Sequence, residues 1–208
     1  MKTKKWNSLH NIGRHVNEPV WKPKYQWISE AIPPSFSCWL HDSGSLTKQI
    51  KNTCSEQFSV HVLSQRWAIP MLNESLRLQS NPAEYALIRE VILYCGVESW
   101  VFARTIIPRK TLTGKQRHLS MLGSKPLGAI LFSDPNMHRD EIEIARIDSQ
   151  HALFSTAMAG HENSQNCNEI WGRRSIFYIG KHKPLLVNEV FLPNILHCQY
   201  RASKVQQV

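Results

Sequence analysis

The chain is short of acid. Against 25 Lys and Arg it carries 16 Asp and Glu, for a net charge of +9 over 208 residues. The excess is not spread evenly. Lys2, Lys4, Lys5, Arg14, Lys22 and Lys24 face Glu18 near the start, and Arg201 and Lys204 close the chain, which leaves residues 25–193 only slightly basic. A nucleic-acid-binding face on the main body is therefore not expected, and no nucleic-acid partner is assigned. Long apolar runs are also missing. Pieces such as Val91-Ile92-Leu93-Tyr94-Cys95 fall far short of the ~18 residues a membrane span needs, so no transmembrane segment is expected. The basic start continues Trp6-Asn7-Ser8 without an apolar core, so no export signal is expected and the cytoplasm is the assigned compartment. There is no C-x-x-C. The five cysteines (Cys38, Cys54, Cys95, Cys167, Cys198) are odd in number and widely spaced, which reads as free thiols in a reducing compartment. His161…Cys167 and His197-Cys198 lack the second pair of a metal site, and no Gly-rich phosphate cradle occurs, so neither metal nor cofactor is expected. Asn73-Glu74-Ser75 matches a glycosylation pattern that a chain that is not exported does not use. With 9 Gly and 11 Pro, collagenous or low-complexity structure is excluded.

What is present reads as α+β. Residues 1–19 form a basic extension. A helix begins at Leu46, capped from Asp42-Ser43-Gly44-Ser45, with Leu46 and Ile50 on one face. Tyr85–Cys95 and Trp100–Ile107 read as a hairpin about Gly96-Val97-Glu98-Ser99. Thr111–Leu122 looks helical, with Gly123 as a stop, and Pro126-Leu127 restarts a helix. Glu141–Ile147 alternates as a half-exposed strand, residues 148–168 read as an inserted loop, and Ser175–Ile179 and Leu185–Leu192 are two more strands. Residues 20–193 then make one domain, and 194–208 a basic tail. Hairpins separated by helices predict a single antiparallel sheet with flanking helices.

Two charges interrupt apolar rows. Alternation along a strand places Arg89 with Leu87, Val91 and Leu93, and Glu189 with Leu185, Val187 and Phe191. An unpaired buried charge costs several kcal/mol, so each requires a partner. They form a structural ion pair, with each other or with neighbours, or they mark a site. In a site, Arg89 supplies a forked donor to a carboxylate, and Glu189 accepts from a hydroxyl or moves a proton. Arg104 falls on the face carrying Trp100, Phe102 and Ile106, as a second anion contact or a surface pair. Leu127, at a helix start, offers a free backbone N–H to an anion.

Several ordered runs carry a resemblance. They are Ile88-Arg89-Glu90-Val91-Ile92-Leu93-Tyr94-Cys95, Ala103-Arg104-Thr105-Ile106-Ile107-Pro108, and Leu122-Gly123-Ser124-Lys125-Pro126-Leu127-Gly128. The most specific are Trp171-Gly172-Arg173-Arg174-Ser175 and Pro184-Leu185-Leu186-Val187-Asn188-Glu189-Val190-Phe191-Leu192-Pro193. Across residues 20–193 the chain resembles the chorismate pyruvate-lyase family of ubiquinone biosynthesis. The resemblance implies helical flaps over an enclosed ligand pocket, probed by one substrate, chorismate, and left by two products, 4-hydroxybenzoate and pyruvate. It implies that Arg89 and the Leu127 backbone hold the ring carboxylate. Glu189 then meets the oxygen at the opposite ring position, with the Leu46 backbone lining that end. A monomer without cofactor is expected, and enclosure by flaps predicts rate-limiting product release with strong product inhibition. Leu46 stands where Met is familiar, and the stretch from Arg146 to Trp171 is longer than the family's connection. The alternative is a small-acid sensor domain of the same fold, although the extension is short for the DNA-binding module such domains usually follow.

Overall fold

The branched and aromatic residues before and after Gly96 pair as expected, and the hairpin they form lies one strand in from an edge of the sheet. The computed structural model describes residues 17–27, 32–159, 167–180 and 182–197. Most of the basic extension, His161, Cys198 and the tail beyond 197 lie outside the described residues. Eight strands among the described residues form one antiparallel sheet: β1 (Lys22–Pro23), β2 (Phe58–Ala68), β3 (Ala86–Cys95), β4 (Glu98–Pro108), β5 (His138–Arg139), β6 (Glu143–Asp148), β7 (Glu169–Ile179) and β8 (Lys183–Phe191). Their order is β1-β6-β7-β8-β4-β3-β2, with β5 pairing β7. The helices are α1 (Pro34–His41), α2 (Leu46–Thr53), α3 (Leu72–Arg77), α4 (Leu127–Leu131) and α5 (Ala152–Met158).

The pleat divides the side chains of the central strands between two faces. The front takes Leu87, Arg89, Val91 and Leu93 of β3, Val187, Glu189 and Phe191 of β8, and Arg173 of β7, which lies opposite Glu189. Over this face pack α1, α2 and α4, through Phe36, Trp39, Leu40, Leu46, Ile50, Leu127 and Leu131. The back takes Ile92, Phe102 and Val190, covered by Leu153, Phe154, Ala157 and Met158 of α5. The expected insertion thus contributes a helix to the back of the sheet, where its apolar spacing is buried. Trp100 departs from the expected face. A register shift after Leu93 pairs Tyr94 with Ser99, and Trp100 packs edge-on against Trp39 in the front core.

Boundaries differ from expectation where tertiary contact recruits residues. Glu18 accepts hydrogen bonds from the Leu72 and Asn73 backbone N–H groups (2.9 and 2.8 Å), so the supposed extension caps α3. Ile195, in the supposed tail, is fully buried in the front core. The 111–122 helix is a 3-10 segment at Gly114–Met121. Strand β2 had no expectation attached to it. It is an edge strand with Val60 alone fully buried, so its sequence lacks clean alternation.

The expectation of free thiols is corrected at two positions: Cys54 and Cys95 form a disulfide, with Cα atoms 5.6 Å apart, while Cys38 and Cys167 are free. The sequence separation of 41 hides the proximity. It arises because Cys54 caps α2 just before β2 begins, and the β2–β3 pairing brings Phe58 opposite Cys95. A bridge of this span constrains the unfolded chain, so Cys54→Ser is expected to cost about 2–4 kcal/mol in denaturant unfolding under oxidising conditions. Excess dithiothreitol should erase the difference. Equal stabilities without reductant would contradict the bridge.

Candidate active site

The pocket lies between the front of the sheet and the first turns of α2 and α4. Its lining includes Leu46, Thr47, Arg89, Ala103, Thr105, Leu127, Gly128 and Glu189, around a free volume of about 50 Å³. The sequence places both helix starts here. Ser45 accepts from the Lys48 N–H (3.4 Å) to cap α2, and Pro126 precedes α4. The first N–H groups of each helix have no intrahelical acceptor, and the dipole there favours an anion. Gly128 lets the two helices close over the sheet, since a Cβ at this position would stand 3.0 Å from Thr47 Oγ1.

Arg89 is 2% exposed and has no carboxylate partner among the described residues. Its Nη2 donates to the carbonyls of Gly123 (2.8 Å) and Lys125 (3.3 Å), which steadies the turn into α4, and its Nε makes no hydrogen bond. Burial pushes the guanidinium below its ordinary pKa. A buried cation without a counter-ion, opening on a pocket, favours an anion beside it.

Glu189 lies across the pocket on β8. Arg89 pairs with Thr105 and Glu189 with Ala103 on the intervening β4, so their Cα atoms are about 12 Å apart, given two strand spacings and two residues of offset. The two do not form the ion pair weighed above. Glu189 Oε2 instead accepts from Arg173 Nε at 2.6 Å, and Arg139 Nη2 stands 3.9 Å from the same oxygen. Burial lowers the Arg139 pKa to about 10, outweighing the attraction of Glu189, and the neighbouring Arg173 adds to the lowering. Arg173 and Arg139 were missed as functional residues, although Arg173 occurs in one of the runs that carry the resemblance. The available signal was strand phase: Arg173 lies directly opposite Glu189 once β7 is extended back to Glu169.

Arg104 does not belong to this pocket. It lies on the back of the sheet, where Nε and Nη2 donate to Glu74 (2.8 and 3.1 Å) and Nη1 to Glu90 (2.5 Å). The expectation of a second anion contact, or of a surface pair, is corrected: Arg104 is buried and fully engaged by two carboxylates. Its own burial opposes the charge, but the hydrogen bonds and attraction of Glu74 and Glu90 raise its pKa overall. For Glu90, burial alone raises the pKa, yet the Ser64 hydroxyl and Arg104 together bring it below the usual carboxylate range. Its contribution to stability is therefore complete at neutral pH and lost as pH falls through that lowered value. Arg104→Ala leaves two buried carboxylates uncompensated. It should cost about 3–5 kcal/mol in denaturant unfolding, while the folded fraction keeps its ligand affinity. A loss of affinity without loss of stability would contradict the assignment.

Among the described residues no three His, Cys, Asp or Glu side chains gather as a metal site. The described part of the insertion covers the back of the sheet, away from the pocket.

Fold and site together define an α+β domain whose pocket has a buried cation at one end and a carboxylate at the other. Solved structures share the fold. The C-terminal domain of the histidine utilization repressor of Pseudomonas syringae pv. tomato matches with a TM-score of 0.50 at 7% identity, over 71% of this chain and all of that one. A gene product of Staphylococcus aureus matches with a TM-score of 0.50 at 16% identity, over 76% of this chain and 93% of that one. At such identities the likeness concerns the fold alone. Sequence comparison goes further. The chorismate lyase family model matches residues 16–201. A probable chorismate pyruvate-lyase of Aromatoleum aromaticum is 41% identical over 79% of this chain and 88% of its own length. One of Nitrosomonas europaea is 35% identical over 86% of this chain and 97% of its own. The chain belongs to the chorismate lyase family.

Proposed function

We propose that this protein converts chorismate to 4-hydroxybenzoate and pyruvate, the step that commits chorismate to ubiquinone, and that Arg89 and Glu189 hold the two ends of the ring. Family membership supports the reaction. The observation that supports the placement is the buried Arg89 guanidinium, which has no counter-ion among the described residues and opens on the pocket that also holds Glu189. In this reading Arg89 and the Leu127 N–H take the ring carboxylate. Ala103 and Thr105 form a small-residue floor over which the ring lies. Glu189 and the Leu46 backbone meet the ring hydroxyl.

The reaction breaks the bond between the ring and the enolpyruvyl oxygen and removes the proton from the ring carbon that bears the hydroxyl. The electrons of that C–H bond enter the ring, which becomes aromatic, and the enolpyruvyl fragment leaves and takes up a proton to become pyruvate. No oxidant, nucleotide or covalent nucleophile enters this balance. The protein's part is to orient the ring, exclude water and place an acceptor near the departing proton. Glu189 is the carboxylate in that position. We assign action as a monomer. No described helix is long and apolar enough to cross a membrane, and we assign the cytoplasm as its compartment.

Mixing the purified protein with chorismate tests the reading. Equal amounts of 4-hydroxybenzoate, by its absorbance, and of pyruvate, by a coupled assay, are expected. Binding without turnover would instead favour a sensor.

A further inference from the structure

Arg173 and Arg139 do not line the pocket, yet both converge on Glu189, which does. Arg173 is wholly buried. Its Nε reaches Glu189 Oε2, and its Nη1 donates to the Trp39 carbonyl (2.6 Å) and the Asp42 carbonyl. These belong to the end of α1, where the last carbonyls lack intrahelical donors and the dipole favours a cation. Arg139 approaches from β5. Its Nη1 donates to the carbonyls of Ser43 (3.0 Å) and Gly44 (3.4 Å), its Nε donates to Ser175 Oγ (3.0 Å), and its Nη2 stands near Glu189 Oε2. The carbonyls of residues 42–44 are thus held by two guanidiniums that meet at one carboxylate oxygen. The next residue is Ser45, the cap of α2, and the one after it is Leu46.

We propose that Arg173 and Arg139 are positioning residues: a clasp that fixes Glu189 through Oε2 and seats the start of α2 over the same end of the pocket. The inference rests on the reading of Glu189 as the group that meets the ring hydroxyl. Among the described residues no hydrogen bond reaches Glu189 Oε1, so the clasp leaves that oxygen to the ligand. Recognition of the hydroxyl then depends on two residues that do not touch it. A planar fork is required at Arg173, because one guanidinium serves a carboxylate and two carbonyls in different directions, which a lysine ammonium does not reproduce.

Affinities for 4-hydroxybenzoate and for benzoate, measured by calorimetry alongside thermal melting, separate positioning from bracing. Benzoate keeps the carboxylate for Arg89 and lacks the hydroxyl. The wild-type protein should prefer the hydroxy acid, and Glu189→Ala should abolish that preference. Arg173→Gln should lower the ratio of the two affinities at least about tenfold, and Arg139→Gln about fivefold, with benzoate binding within about twofold of wild type. The larger figure corresponds to the loss of one charge-assisted hydrogen bond from Arg173, the smaller to the loss of the longer ion pair from Arg139. Arg173→Lys should recover part of the loss. If Arg173 variants do not fold, Arg139→Gln decides. An unchanged ratio in a folded arginine variant, or equal weakening of both ligands, overturns the clasp. If Glu189→Ala keeps the preference, the reading of Glu189 itself fails and the clasp with it. If Glu189→Ala loses the preference and the arginine variants keep it, the clasp alone fails.

Discussion

Replacing Arg89 by methionine is expected to cut kcat/KM for chorismate by at least about 100-fold without a comparable loss of stability. The two halves of this expectation have separate causes. A charge-assisted bond from a desolvated guanidinium to a carboxylate contributes about 1.5–3 kcal/mol or more, and the orientation it imposes adds to the loss. Stability responds differently because Arg89 has no counter-ion among the described residues. A base whose pKa is lowered by burial destabilises the fold wherever it is charged, which includes the whole ordinary pH range. Methionine removes that cost, at the loss of the bonds to the Gly123 and Lys125 carbonyls. Melting within a few degrees of wild type, or above it, is the predicted result. Strong destabilisation with an active folded fraction would make Arg89 a structural residue.

Glu189→Gln is expected to have the second large effect. The amide keeps the shape and still meets a hydroxyl, but it does not accept a proton. If Glu189 takes the ring proton, kcat should fall by about 100-fold to 10,000-fold, the usual range for removing a general base. Binding of 4-hydroxybenzoate should weaken far less than turnover, because the hydroxyl still finds a partner. Near-wild-type turnover would remove Glu189 from the proton path and leave it as a hydrogen-bond partner.

The pocket's two ends were legible in the sequence because each is a lone charge in an apolar strand. Alternation alone put Arg89 and Glu189 on buried faces, and the runs around them carried the family resemblance. The capped start of α2 and the restart at Leu127 were equally local signals. What stayed hidden is non-local. Arg104 has the same local signature as Arg89, a charge in an apolar strand, and only the packing of α3 reveals that Glu74 meets it on the back of the sheet. Cys54 and Cys95 become neighbours through the pairing of β2, an edge strand whose exposure removes its own pattern. Arg173 and Arg139 gain their meaning from carbonyls of residues 39–44, and backbone acceptors leave no trace in side-chain chemistry. The insertion looked like a polar loop because its apolar positions span only the seven residues of α5.

The central claim is that one ring lies across β4 with its carboxylate at Arg89 and its hydroxyl at Glu189. A crystal structure of the protein with 4-hydroxybenzoate tests it directly. The account predicts the carboxylate within about 3 Å of the Arg89 guanidinium and the Leu127 N–H, and the hydroxyl within hydrogen-bond reach of Glu189. A ligand bound in the opposite sense, or seated on the back of the sheet beside Arg104, would contradict it.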